Sequence, residues 1–320
     1  MGNSRWDSDS WTSYSASVSS APRAAIFTSN GMDDSLDPKK IKFRESVDSA
    51  ANPNSTPIMI GVDETGSMGA LAEQIIKEGL GIVMKEIYER KPVTDPHCLL
   101  AGVGDAAADQ SPLQVTQFEA AVEPLTKQIE KIYLEGNGGG NNGESYNLLW
   151  YFAAHKTKCD AISKRKRKGY LFTVGDERVL PSLTKSQIQR IFGDDVESDI
   201  KTKDLLNQVK KHWEVFHIIV ETSATRDQGA IENWREILGE RAIVIPNKDS
   251  LAEIIVSTIQ VNEGADADKV ADSWDGSTAV VVRDALKNLS KSSSGSSALV
   301  RIESLFNRRM LDERHGSHWR

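Results

Sequence analysis

Two cysteines in 320 residues leave no basis for a disulfide framework. Cys98 and Cys159 both fall inside segments that read as regular secondary structure. Two buried thiols are therefore expected, and with them a reducing, cytoplasmic setting. No stretch approaches the roughly 18 consecutive apolar residues of a membrane helix. The opening MGNSRWDSDSWTSYSASVSS contains no apolar block, so it does not read as a secretory signal. Basic charge is not in excess: 39 Lys and Arg stand against 46 Asp and Glu, a net charge of −7. That balance disfavours a general nucleic-acid binder. The six histidines show no H-E-x-x-H spacing, Ser67 lies in no G-x-S-x-G elbow, and no G-x-x-x-x-G-K-[ST] loop occurs. The expectation is a protein that binds rather than an enzyme.

What is present divides the chain in three. Residues 1–55 are rich in Ser, Asp, Asn and Ala and poor in aliphatics. They are read as a flexible tail, with Trp6, Trp11, Tyr14, Ile26 and Phe27 as candidate docking points. Residues 56–262 alternate short apolar runs with amphipathic segments. PIMIGVD (57–63), CLLAGVG (98–104), YLFTVG (170–175), VFHIIV (215–220) and RAIVIP (241–246) read as buried strands. LQVTQF (113–118) alternates and closes a hairpin with the strand before it. Helical spacing appears over 68–89, 121–134, from the glycine loop to about 158, and 250–261, where Ser250 and Glu253 suggest a capping box. The fold class is α/β: a doubly wound, mostly parallel sheet of about six strands with helices on both faces. Residues 263–320 form a C-terminal extension with short helices, one over 278–289 and one over 298–314.

Ligands of such sheets bind beyond the carboxyl ends of the strands, and there the informative residues fall. The first strand ends in Asp63-Glu64-Thr65-Gly66-Ser67-Met68. A carboxylate and two hydroxyls at alternate positions converge in a turn before a helix. Oxygen donors of this kind suit a hard cation, Mg²⁺ or Mn²⁺. Two G-x-G-x-x-G/A stretches, at 138–143 and 102–107, lack the strand–turn–helix context of a dinucleotide site. The basic run Lys164–Lys168 precedes a strand, so it is expected at the sheet's amino end, away from this edge.

Asp63-x-Thr65-Gly66-Ser67-Met68 resembles the D-x-S-G-S-M motif of the von Willebrand factor A (VWA) family, with Thr in place of the first Ser. The resemblance extends over about residues 57–261. It implies a metal-ion-dependent adhesion site in which the hydroxyls bind the metal and the Asp acts through water. Two further loops contribute, and one coordination position stays open for a partner's carboxylate. The second loop here, Gly138 to Ser145, resembles G-G-G-D-x-P-E but has Asn141 at the acidic position, with Glu144 matching the closing Glu. The third, Thr173-Val174-Gly175-Asp176-Glu177, carries its acid two places later than the family's T-D-G. The implied metal set is thus Asp63, Thr65, Ser67, Asn141 and Asp176. The chain is more similar to stand-alone bacterial and phage VWA proteins than to secreted ones. The implied partner is a protein, such as an AAA+ ATPase served by an adaptor, or an assembly complex. The alternative is a structural subunit that makes its contacts through its tails and has a degenerate metal site.

Overall fold

The computed structural model describes residues 5–64, 74, 79–135, 143–222, 225 and 229–289. Thr65, Ser67 and Asn141 of the expected metal set, and the helix expected over 298–314, lie outside the described residues. In chain order the elements are α1 (Ser8–Val18), α2 (Arg23–Ile26), β1 (Arg44–Ser46), β2 (Thr56–Asp63), α3 (Leu80–Arg90), β3 (Pro96–Val103) and β4 (Leu113–Val115). Next come α4 (Val122–Ile129), α5 (Asn147–His155), β5 (Thr157–Cys159), α6 (Asp160–Ser163), β6 (Gly169–Gly175) and β7 (Ser182–Leu183). Then follow α7 (Lys185–Phe192), β8 (Ile200–Lys201), α8 (Thr202–Val209), β9 (Trp213–Val220), α9 (Ala230–Leu238), β10 (Ala242–Ile245), α10 (Leu251–Asn262), α11 (Ala267–Asp272) and α12 (Gly276–Leu286).

Six strands form the main sheet in the order β10-β9-β6-β2-β3-β4. All neighbours are parallel except β4, which turns back along β3 with Val103 opposite Leu113. The expected hairpin and the doubly wound α/β class are both present. The strands are mostly apolar because both faces are covered, and alternate residues feed two separate cores. Ile58, Ile60 and Val62 of β2 face a core built with α3, α10, α11 and α12. Met59 of the same strand faces another, built with α5, α7, α8 and α9. Trp150, Trp213 and Trp234 are all fully buried in the second core.

Three expectations need correction. Residues 5–55 are not a free tail. Val18, Ile26, Phe27 and Leu36 are buried, and Trp6, Trp11 and Tyr14 pack against the first core. Each buried side chain of this size contributes about 1.5–3 kcal/mol, so a few well-placed docking points offset the ordering of an otherwise polar segment. β1 also pairs in parallel with β5, a pair too short to announce itself by periodicity. Second, Ser250 makes no capping box. A 3-10 turn over Lys248–Ser250 leads into α10 and is capped by the Asn247 side chain, leaving Ser250 without a side-chain cap bond. The capping box that does form joins Thr184 and Gln187 at the start of α7. Third, helix 121–134 is shorter than its pattern and ends at Ile129.

The basic run sits where expected, at the entry to β6, and four of its five charges are paired with acids. Arg165 pairs with Asp48, Arg167 with Glu263 and Lys168 with Glu214. Cys98 and Cys159 are free, buried thiols, and burial pushes both up to about 12.

Candidate metal-binding rim

The winding of the sheet reverses between β2 and β6. β2 continues to β3 on one side, and β6 continues to β9 on the other. The crevice beyond the carboxyl ends of those two strands is the switch point where α/β sheets bind ligands. Val62 lies opposite Val174, so Asp63 at the end of β2 and Asp176 just past β6 flank this crevice. Asp63 is completely buried and Asp176 nearly so.

Tyr146 joins the two sides. Its hydroxyl donates to Asp63 Oδ2 at 3.0 Å. Burial is the main reason its phenol is pushed well above its usual range, and the charges of Asp63, Glu144 and Asp176 add to the effect. Of these three acids, Asp63 is the one hydrogen-bonded to the hydroxyl. Gly175 makes the approach possible, since a Cβ there would overlap the Tyr146 hydroxyl. On the opposite side, Asp176 Oδ2 accepts a 3.0 Å bond from the hydroxyl of Thr222, just past β9. Glu144 is buried, and the backbone on either side of it is clamped: its N–H donates to the Arg178 carbonyl at 2.8 Å, and its carbonyl accepts from Leu180 N–H at 3.3 Å.

Further acids line the same edge. Glu64 is buried and accepts two bonds from the Gln114 amide, at 3.0 and 3.1 Å. Burial, then Asp63, Asp109 and Glu135, push its carboxyl well above the usual range despite Gln114. Asp105 and Asp109 are buried in the loop after β3, where Asp109 Oδ2 accepts from the Asp105 N–H at 2.6 Å. The serine that follows Glu144 ties this loop to the second one, Ser145 Oγ accepting from the Ala106 N–H at 2.9 Å.

Of the expected metal set, Asp63 and Asp176 stand at the neighbouring ends of β2 and β6. Thr65, Ser67 and Asn141 lie outside the described residues. Among the described residues no group of three or more His, Cys, Asp or Glu could hold a metal ion. The chemistry available, hard oxygen donors at an edge rich in buried negative charge, fits Mg²⁺ or Mn²⁺. Sequence reasoning missed Tyr146, Thr222 and Gln114. The first two directly follow a glycine loop and a buried strand, so position at the carboxyl edge was the available signal.

No protein-family model and no curated protein matches the chain. Solved structures similar to it include a pilus adhesin of Lactobacillus rhamnosus GG in its open conformation. The match has 12% identity and a TM-score of 0.42, and covers 67% of this chain and 31% of that one. A von Willebrand factor type A protein from Catenulispora acidiphila matches at 12% identity and TM-score 0.38, over 67% and 44% of the two chains. Proximal thread matrix protein 1 from the mussel byssus matches at 8% and 0.38, over 64% and 47%. The matched region spans less than half of each of these structures. The chain has a doubly wound α/β fold with Asp63 at the switch point of its sheet.

Proposed function

We propose that the chain is a metal-ion-dependent protein-binding module of the adaptor type. The cation, Mg²⁺ or Mn²⁺, would sit at the crevice between β2 and β6. Asp63, Thr65, Ser67 and Asp176 would hold it, with Asn141 as a neutral oxygen donor. When bound, the ion supplies an open coordination position for a carboxylate of the partner. The observation that carries this reading is the position of two buried acids, Asp63 and Asp176, at the neighbouring carboxyl ends of β2 and β6, each hydrogen-bonded by a hydroxyl. Buried carboxylates repel one another unless a cation or a proton intervenes.

In this reading the rim binds and does not turn over substrate. The partner is a protein presenting Asp or Glu, and an AAA+ ATPase or an assembly complex is the class the family resemblance implies. The proposed location is cytoplasmic, a reading that two free thiols support. A second reading also has an observation in its favour. Hydroxyl groups of Tyr146 and Thr222 already bond both rim acids, as they would in a degenerate rim stabilised without metal.

Calorimetry with Mg²⁺, and partner capture from host extract with and without EDTA, distinguish the two. Wild type should bind Mg²⁺ and capture its partner only when metal is present. Asp63→Ala and Ser67→Ala should lose both properties while remaining folded. Capture indifferent to EDTA and to both substitutions would defeat the proposal.

A further inference from the structure

Asp63 is a completely buried carboxylate at the end of a strand, and one of its oxygens accepts a hydrogen bond from a residue outside the metal motif. We propose that Tyr146 is a positioning residue for the cation site, an inference that rests on the metal-binding reading above. Its hydroxyl lies 3.0 Å from Asp63 Oδ2 and fixes the rotation of the carboxylate. The donor is neutral. A Lys or Arg in its place would also orient Asp63, but it would compete with a metal ion for the same charge. A phenol holds the carboxylate while leaving its negative charge available. Hydrogen bonds of this kind to ligating carboxylates are part of how proteins build metal sites.

Tyr146 is itself held in place. Its ring packs edge-on against His217 at 4.9 Å and Trp234 at 5.5 Å. His217 stacks on Trp234 with ring centroids 3.5 Å apart, and its Nδ1 lies 2.8 Å from Thr173 Oγ1. All four side chains are completely buried. The same cluster reaches the other acid. Trp234 Nε1 donates to the Glu177 carbonyl at 2.9 Å, next to Asp176 in the chain. One rigid aromatic group therefore spans the switch point, bonding Asp63 on one side and the Asp176 loop on the other. Fixed separation of two acids is what a cation site needs and what ordinary core packing does not.

Tyr146→Phe keeps the ring and its contacts and removes only the hydroxyl. Mg²⁺ affinity measured by calorimetry should fall about tenfold, the usual cost of losing an outer partner of a metal ligand. The melting temperature serves as the check on folding. Gly175→Ala is the second variant. It keeps every oxygen but crowds the Tyr146 hydroxyl, and should also weaken Mg²⁺ binding. If wild type binds Mg²⁺ and Tyr146→Phe binds it equally well, Tyr146 is a core residue only and the inference is overturned. If wild type binds neither Mg²⁺ nor Mn²⁺, the metal-binding reading falls and this inference falls with it.

Discussion

The guanidinium of Arg44 donates to the carbonyl of Val115, the last residue of the sheet's antiparallel edge strand, at 2.7 Å. The N–H of Val115 donates in turn to the Leu36 carbonyl at 3.0 Å. The free edge of β4 is thereby covered by the chain's own N-terminal segment. An uncovered edge is a template for pairing with another chain. Burial holds the Arg44 guanidinium down to about 10, the mark of a charge that has given up water for these contacts.

Arg44→Ala should therefore destabilise the fold by about 1–3 kcal/mol, the cost of leaving buried acceptors unpaired. The midpoint of chemical denaturation measures this. The variant should also aggregate more readily as the β4 edge opens. A midpoint equal to wild type would mean that the N-terminal segment contributes nothing to the edge.

Arg165 and Lys166 are neighbours in one basic run and should behave differently. Arg165 pairs with Asp48, whose carboxylate also accepts from both the N–H and the hydroxyl of Ser55, at 3.0 and 2.7 Å. This network fastens the 48–55 loop at the entry to β6. Among the described residues Lys166 Nζ bonds the Ser163 carbonyl and pairs with no acid, and the residue is exposed. Arg165→Ala should lower stability by about 1–2 kcal/mol, and Lys166→Ala should leave it within about 0.5 kcal/mol. Equal effects in a denaturant titration would contradict this division.

The main sheet was legible because its strands are long, apolar and regularly spaced. β2, β3, β6, β9 and β10 are each dominated by apolar residues with no regular polar alternation, the pattern of a strand buried on both faces. The rim was legible only in part. Asp63 and Asp176 follow buried strands, and the sheet's winding brings such positions together. Tyr146 was not legible, because its partner lies 83 residues away and Gly175 must first clear the space. The N-terminal segment misled for a related reason. Its composition is that of a tail, and its few apolar residues act only through the surfaces they meet.

His97 gives a pH dependence with a definite sign. It is buried at the start of β3, and its Nδ1 lies 3.1 Å from Ser46 Oγ. Burial lowers it to about 4, against the pull of Asp95 and Asp48 and with a small push from Arg165. The unfolded chain takes up the proton near the usual value of about 6.5, whereas the folded chain resists until about 4. Between those values the unfolded state binds more protons, so stability falls as pH falls. The loss attributable to this group is about 3 kcal/mol across the window and is complete below it. Denaturation of wild type and His97→Gln at pH 7 and pH 4 measures it. The variant should lose less stability over that interval, and identical losses would show that His97 does not titrate this way.

Thr222 tests the other side of the rim. Its hydroxyl donates to Asp176 Oδ2 at 3.0 Å, and its own N–H donates to Thr225 Oγ1 at 2.6 Å, so the donor is held by a local turn. Asp176 lies past β6 and Thr222 past β9, and the bond ties two neighbouring strand ends across the carboxyl edge. Thr222→Val preserves the shape of the side chain and removes the donor. If Asp176 helps to hold a cation, the loosened carboxylate should weaken Mg²⁺ binding about tenfold. The backbone bond to Thr225 should survive, and the melting temperature should move by only a few degrees. Asp176→Ala should do more, because it removes the ligand as well as its orientation. The order expected by calorimetry is wild type, then Thr222→Val, then Asp176→Ala, from tightest to weakest. A Thr222→Val protein that binds Mg²⁺ as tightly as wild type, beside an Asp176→Ala protein that does not bind it, would leave Asp176 a ligand and remove Thr222 from the site. Both variants binding as tightly as wild type would remove Asp176 from the metal set altogether and place the cation on the Asp63 side of the crevice alone.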